Sequence, residues 1–166
     1  MHSEDILPQG LSRETSIRRD SQGVWYFEGE PIEHKGITAA FDRWIDRAPD
    51  GRYCLKNSIH WVYCALEGPA FFVQTLRVEA DQVVLGLRGG ETERLDPHTL
   101  REDKTGRLYC DVRAGAFSAV FVPHAMMQLW EHAEEDADGA YLLLGHKRFT
   151  PVVVADPLAE NWTSLR

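Results

Sequence analysis

The chain has 166 residues, 43% of them hydrophobic and 27% charged, with 26 acidic side chains against 18 basic ones and a formal net charge of −8. A chain of this length buries roughly 68–70% of its unfolded surface, so it needs neither disulfide nor metal staples. The acidic balance disfavours a DNA or RNA polymer as partner, because that binding runs on a surplus of Lys and Arg, and no apolar run approaches the ~20 residues that span a bilayer. Met1-His-Ser-Glu-Asp lacks the basic and apolar regions of a signal peptide. Three cysteines without a framework spacing point to a reducing, cytoplasmic setting.

Residues 1–16, with Pro8 and Gly10, read as a loosely held arm. Asp20-Ser-Gln-Gly23 is a turn signal, and Val24-Trp-Tyr-Phe27 a strand that Gly29-Glu-Pro31 ends. Ile37, Phe41, Trp44, Ile45 and Ala48 form one apolar stripe at helical period, stopped by Pro49-Asp50-Gly51. Strands are then expected at Arg52–Leu55, Ile59–Leu66, Phe71–Glu79 and Val83–Leu87, with Asp81-Gln82 as the turn between the last two. Gly89-Gly90 and Asp96-Pro97 punctuate the stretch after these strands. Leu108–Val112 and Phe117–Val122 read as strands around Ala114-Gly115. Pro123 suits the first turn of a second helix, where its missing amide costs nothing, and Met126, Trp130, Ala133 and Ala137 carry that helix to Asp138-Gly139. Ala140–Leu144 and Phe149–Val154 are the last strands, and residues 156–166 a tail.

The pattern repeats internally. Ile17–Tyr26 laid over Leu100–Tyr109 matches Arg18 with Arg101, Asp20 with Asp103, Gly23 with Gly106 and Tyr26 with Tyr109. Each copy runs on into an amphipathic helix and a similar exit, Asp50-Gly-Arg-Tyr-Cys-Leu55 and Asp138-Gly-Ala-Tyr-Leu-Leu143. The expectation is an α+β fold made of two related hairpin–helix–sheet halves, 17–97 and 98–155.

Gly23-Val-Trp25-Tyr-Phe-Glu-Gly29-Glu-Pro31-Ile32 resembles the opening signature of a bacterial family called domain of unknown function 1285. The resemblance continues through Phe41 and Asp50–Leu55, then more thinly over Glu67, Phe71, His98–Arg101 and Val112–Gly115. It implies two related α+β halves, the second loosely pleckstrin-homology-like, with a small nucleotide-like ligand in a groove between them and a signalling role. It brings no catalytic residue. The chain departs from the family at Asn57–Trp61, Gly68 and Phe117–Val122, so its matches lie in turns and core aromatics rather than in polar groups.

The chemistry is sparse. There is no nucleophile elbow, phosphate loop, dinucleotide turn or zinc-protease helix, and no cofactor is expected. Cys54, His60 and Cys64 lack the fourth ligand of a zinc site, while His124, His132 and His146 read as satisfied or solvated. Leu87-Arg88-Gly89-Gly90 could cradle a phosphate but reads more simply as a β-turn. Arg18, Arg101 and Arg113 suit a bidentate grip on phosphate or carboxylate. Glu67 and His60 would add polar contacts, and Trp61 a stacking face. Three readings remain open: a non-enzymatic small-ligand protein using those six residues, a protein–protein interaction module, and an enzyme of unrecognised type. Five acids crowd Glu131–Asp138, a solvated face or a partner patch.

Overall fold

The Asp20 carboxylate accepts hydrogen bonds from the amides of Gln22 and Val24, both at 2.9 Å. Gly23 sits at φ +86°, a region glycine enters without a Cβ clash. Together they fold β1 (Arg18–Arg19) back antiparallel onto β2 (Trp25–Phe27). The computed structural model describes residues 12–164, which divide between two compact units, Met1–Gly68 and Pro69–Arg166.

In the first unit β3 (Glu30–Pro31) pairs antiparallel with β2, and α1 (Lys35–Trp44) follows. Then come β4 (Ile45–Arg47), β5 (Tyr53–Lys56), β6 (Trp61–Tyr63) and β7 (Ala65–Leu66). The last returns parallel to β1, giving sheet orders β3-β2-β1-β7 and β4-β5-β6. Trp25, Ile45 and Leu55 are buried here, and so are Arg19 and Asp42. Arg19 Nη1 and Trp25 Nε1 both donate to Asp42 Oδ1 at 2.9 Å.

The second unit opens with β8 (Phe71–Glu79), β9 (Gln82–Leu87) and β10 (Thr92–Arg94), an antiparallel meander. It continues with β11 (Arg101–Glu102), β12 (Leu108–Val112), β13 (Phe117–Phe121) and α2 (Pro123–Trp130). The chain then forms β14 (Ala133–Asp136), β15 (Gly139–Leu144), β16 (Lys147–Phe149) and β17 (Val152–Val153). One sheet runs β10-β9-β8-β13-β12-β11-β17 and another β14-β15-β16. Pro123 stands in the first turn of α2, and Gly89 and Gly90, both at positive φ, turn the chain between β9 and β10.

The α+β expectation holds, and one four-strand stretch of each unit has the same order of strands. The order β13-β12-β11-β17 has the same strand senses as β3-β2-β1-β7. Arg18 faces Tyr26 in one register and Arg101 faces Tyr109 in the other. Asp103 accepts from the Thr105 and Arg107 amides at 2.9 and 3.0 Å, as Asp20 does in its own turn. The amide of Val24, with help from that of Gln22 and the Tyr26 hydroxyl, holds the Asp20 carboxyl below its ordinary value. A depressed carboxyl stabilises the fold above its unfolded value and loses that contribution as pH falls through the folded one. Asp20→Ala is therefore expected to cost about 1 kcal/mol at neutral pH. In urea titrations the gap between variant and parent should shrink at about pH 3, and an equal gap at both pH values would remove the carboxylate from the account.

Several boundaries differ from expectation. Ile45 and Ala48 fit the helical stripe, yet α1 ends at Trp44 and Ile45 turns extended (φ −58°, ψ 127°) to pair with Leu55. Strand pairing buries Ile45 completely, and a short run with apolar residues at several spacings suits either period. Likewise α2 stops at Trp130, and Ala133–Asp136 becomes an acidic edge strand, a placement that discourages edge-to-edge pairing. The turn expected at Asp81-Gln82 lies one residue earlier, since Glu79 pairs with Gln82. The division expected at residue 97 falls inside the second unit, because β8 pairs in parallel with β13.

Residues 1–11 of the expected arm lie outside the described residues. The rest is not loose: Tyr63 N donates to the Arg13 carbonyl at 2.8 Å, and the Thr15 hydroxyl to the Tyr63 carbonyl at 2.6 Å. Arg52 grips the Glu14 carboxylate through both terminal nitrogens. Nor is 156–164 a free tail, since Pro157 and Trp162 are buried. No helix among the described residues is long and apolar enough to cross a membrane.

Candidate functional site

The six residues singled out from the sequence divide between the units, Arg18, His60, Trp61 and Glu67 in the first and Arg101 and Arg113 in the second. Arg101 is 1% exposed and fully engaged. Its Nε donates to the Pro157 carbonyl at 2.7 Å, Nη1 to the Thr99 carbonyl at 2.9 Å, and Nη2 pairs with Asp111 at 2.9 Å. The guanidinium also lies 4.4 Å from the Trp162 ring. It holds the chain end rather than a ligand. The amide of Arg113 donates to both Glu93 carboxylate oxygens, and its side chain pairs with Glu91 and stacks 4.4 Å from the Phe71 ring.

Trp61 offers no open stacking face. It is buried with Ala48 and Cys54, edge-on to Tyr63 at 5.1 Å, and capped by the Arg13 guanidinium at 3.8 Å. The exposed stacking face expected of Trp61 is taken up by Arg13, whose Nη1 also donates to the Trp61 carbonyl at 2.8 Å. His60 is exposed on the loop between β5 and β6. Arg18 and Glu67 do come together, at 3.8 Å, with Arg18 stacked 4.1 Å over Tyr26. Within the first unit, then, an Arg18–Glu67 pair is accessible, but each charge already faces its opposite.

The cysteines are equally quiet. Burial pushes the Cys54 thiol up to about 11 and that of Cys64 up to about 12, and it raises Cys110 further. A thiol held that high is protonated at neutral pH and a poor nucleophile. Among the described residues, no group of three or more His, Cys, Asp or Glu side chains is placed to hold a metal ion.

What the first unit does hold open is apolar. Trp25 and Phe27 point to one face of β2, and Ile17 lies two residues before Arg19, which is registered with Trp25. Ile32 continues the ladder by donating its amide to the Trp25 carbonyl at 2.8 Å. α1 packs Phe41 edge-on against Trp25 at 5.4 Å, while Phe27 stays exposed. The result is a groove of about 330 Å³ lined by Ile17, Phe27, Ile32, Ile37 and Phe41, with no polar group in its walls. Phe27 is 49% exposed and Ile37 43%. Large apolar side chains gathered at one exposed place mark a binding surface more often than scattered ones do.

The mouth of this groove is acidic. Glu30 stands directly opposite Phe27 in the β2–β3 register, so both project on the same face. Glu28 and Glu33 are exposed beside it, and residues 27–37 carry three Glu against the single Lys35. Glu28 adopts φ +51° to turn the hairpin, which fixes where these carboxylates sit. This groove lies within the first unit and is not the one expected between the halves: Phe27, Ile37 and Phe41 were legible as strand and helix faces, but their incomplete cover was not.

No protein-family model matches the chain, and no curated protein matches it in sequence. Among solved structures, it is similar to a DUF1285 family protein from Silicibacter pomeroyi DSS-3 at a TM-score of 0.64 and 17% identity, covering 83% of this chain and 80% of that one. It is also similar to a DUF1285 family protein from Shewanella baltica OS155, at a TM-score of 0.56 and 12% identity, covering 72% and 94%. The family that the Gly23–Ile32 signature resembles is thus the one whose fold the chain adopts: it is a DUF1285-type fold.

Proposed function

We propose that this protein is a non-enzymatic binding module whose binding surface is the apolar groove of the first unit. One observation carries the reading: a groove of about 330 Å³ with hydrocarbon walls, left open on a face whose neighbouring part is fully packed. Such walls offer desolvation and shape but no acid, base or nucleophile, so the groove binds without turnover. A nucleotide-like ligand would instead need free cations, and Arg101 and Arg113 are engaged by Asp111, Glu91 and Glu93. The four strands of like order in each unit, with Arg18, Asp20, Gly23 and Tyr26 answered by Arg101, Asp103, Gly106 and Tyr109, support descent by duplication.

The test uses the neutral fluorophore N-phenyl-1-naphthylamine, which brightens in apolar surroundings and is not repelled by the glutamates. Ile37→Asp places a carboxylate in the groove wall at a half-exposed position in the first turn of α1, where helices favour acids. Burying an unpaired polar group costs more than about 1.4 kcal/mol, so at least a roughly tenfold loss of probe affinity is expected. Equal binding by parent and variant would dismiss the groove as the site.

A further inference from the structure

Residues 12–16 lie on β6 as a peptide ligand lies on a receptor strand. β1 keeps register with β7, where the Ala65 and Glu67 amides donate to the Ile17 and Arg19 carbonyls, two residues apart on both strands. Upstream the register slips. The Tyr63 amide, two residues before Ala65, donates to the carbonyl of Arg13, four residues before Ile17, at 2.8 Å. The Thr15 hydroxyl spans the slack by donating to the Tyr63 carbonyl at 2.6 Å. A simple extension of β1 would keep its register, whereas this segment is seated separately.

Successive side chains of the segment each meet a group of their own. The Arg13 guanidinium stacks 3.8 Å over the Trp61 ring and donates to the Trp61 carbonyl. Arg52 donates to both Glu14 carboxylate oxygens at 2.7 and 3.0 Å and lies 3.6 Å from the Tyr63 ring, whose hydroxyl donates to Asp50. The Arg52 hydrogen bonds hold the Glu14 carboxyl below its ordinary value, against the opposing charge of Asp50. Main-chain bonds to a strand, with side-chain sites for successive residues, are how extended peptides are recognised. Ser12, Arg13, Glu14, Thr15 and Ser16 carry no large apolar anchor, and Glu14 and Arg52 are both more than half exposed. Exposed ion pairs contribute little and ordering five residues costs entropy, so the segment stands at the low end of local stability. We propose that Arg52, Trp61 and Tyr63 form a peptide-recognition site with residues 13–15 as its built-in occupant, displaced by an extended segment of another protein carrying arginine, glutamate and a hydroxyl residue in succession. This site is separate from the apolar groove and stands whether or not the groove binds.

Fluorescence anisotropy of a labelled synthetic peptide copying residues 12–17, added to the full chain, tests it. In the parent the built-in segment competes at an effective concentration of about millimolar. The double variant Arg13→Ala with Glu14→Ala loosens that segment, and is expected to bind the peptide at least about tenfold more tightly than the parent. Hydrogen exchange at the Tyr63 amide should quicken in the same variant. Glu14→Lys, an exposed change that turns the Arg52 pair into a repulsion, serves as a second loosened variant should the first fold poorly. Adding Arg52→Glu to the loosened chain should abolish binding of this peptide and restore it for a peptide with lysine in place of the glutamate, a switch that a merely structural Arg52 would not produce. Equal binding by parent and loosened variant, binding by neither, an unchanged Tyr63 exchange rate, or no recovery with the lysine peptide would each overturn the inference. A parent that doubles its mass with concentration in sedimentation, while the loosened variant stays monomeric, would overturn the choice of another protein in favour of a second copy's segment.

Discussion

Replacing Arg101 by alanine is expected to destabilise the second unit by about 3–5 kcal/mol, among the largest effects of any single substitution in this protein. The side chain makes three hydrogen-bonded contacts: with the Pro157 carbonyl, the Thr99 carbonyl and the Asp111 carboxylate. Its removal leaves Asp111, whose side chain is only 17% exposed, facing the Trp162 indole at 3.4 Å as its remaining side-chain donor. The cost comes mostly from that stranded carboxylate, because a buried charge without its counterion keeps the whole desolvation penalty. A second readout separates this from general weakening. Pro157 and Trp162 are pinned by Arg101, so chymotrypsin should cut at Trp162 faster in the variant while the rest of the unit resists. Arg101→Lys keeps the charge but not the planar fork, and should fall between the two at about 1–2 kcal/mol. A loss below about 1 kcal/mol for Arg101→Ala, the size of one ordinary hydrogen bond, would show that the pair is not structural.

In the first unit the matching expectation concerns Asp42. Its Oδ1 receives both Arg19 Nη1 and Trp25 Nε1, and all three side chains are buried. Asp42→Ala should cost about 3–5 kcal/mol by leaving a guanidinium and an indole N–H in the core. The double variant Arg19→Met with Asp42→Leu removes the charges together and should recover most of that loss, since replacing a buried ion pair with apolar groups is often neutral or better. Urea denaturation of the parent, the two single variants and the double variant forms a complete cycle. Additive losses would mean that the two charges do not stabilise each other. Asp42→Asn retains an acceptor for both donors and should lie between the parent and Asp42→Ala.

How legible the fold was depends on the range of the physics involved. Asp20, Gly23, Asp103, Gly106 and Pro123 act within a few residues, through side-chain-to-amide hydrogen bonds, positive φ and a missing donor, and the elements they punctuate lie where the sequence places them. The ends of α1 and α2 were not legible. At Ile45 and Ala133 the next residues serve a strand as well as a helix, and pairing with Leu55 and Leu142 decides between them. The arm misled for a related reason: residues 12–16 have no periodicity of their own and are ordered by distant partners, the backbone of β6, the Trp61 ring and the Arg52 guanidinium. The parallel pairing of Phe71–Val73 with Ala119–Phe121, which moves the unit boundary to residue 68, joins segments far apart in sequence and leaves no local trace.

The candidate site divides along the same line. Arg101 was visible as a motif residue, but whether an arginine grips a ligand or a backbone depends on what lies against it, and here Pro157 and Trp162 do. Trp61 lost its stacking role to an arginine from residues that read as loose. The groove has the same origin, because the sequence marks Phe27, Ile37 and Phe41 as apolar while the length and placement of α1 decide which of them stay uncovered. Local chemistry therefore determined the turns, the α+β class, the resemblance to a DUF1285-type fold and the charge of each segment. Only long-range packing decided which cations are spent internally and which apolar faces are left open, because burial is a property of neighbours that the chain brings together after it has folded.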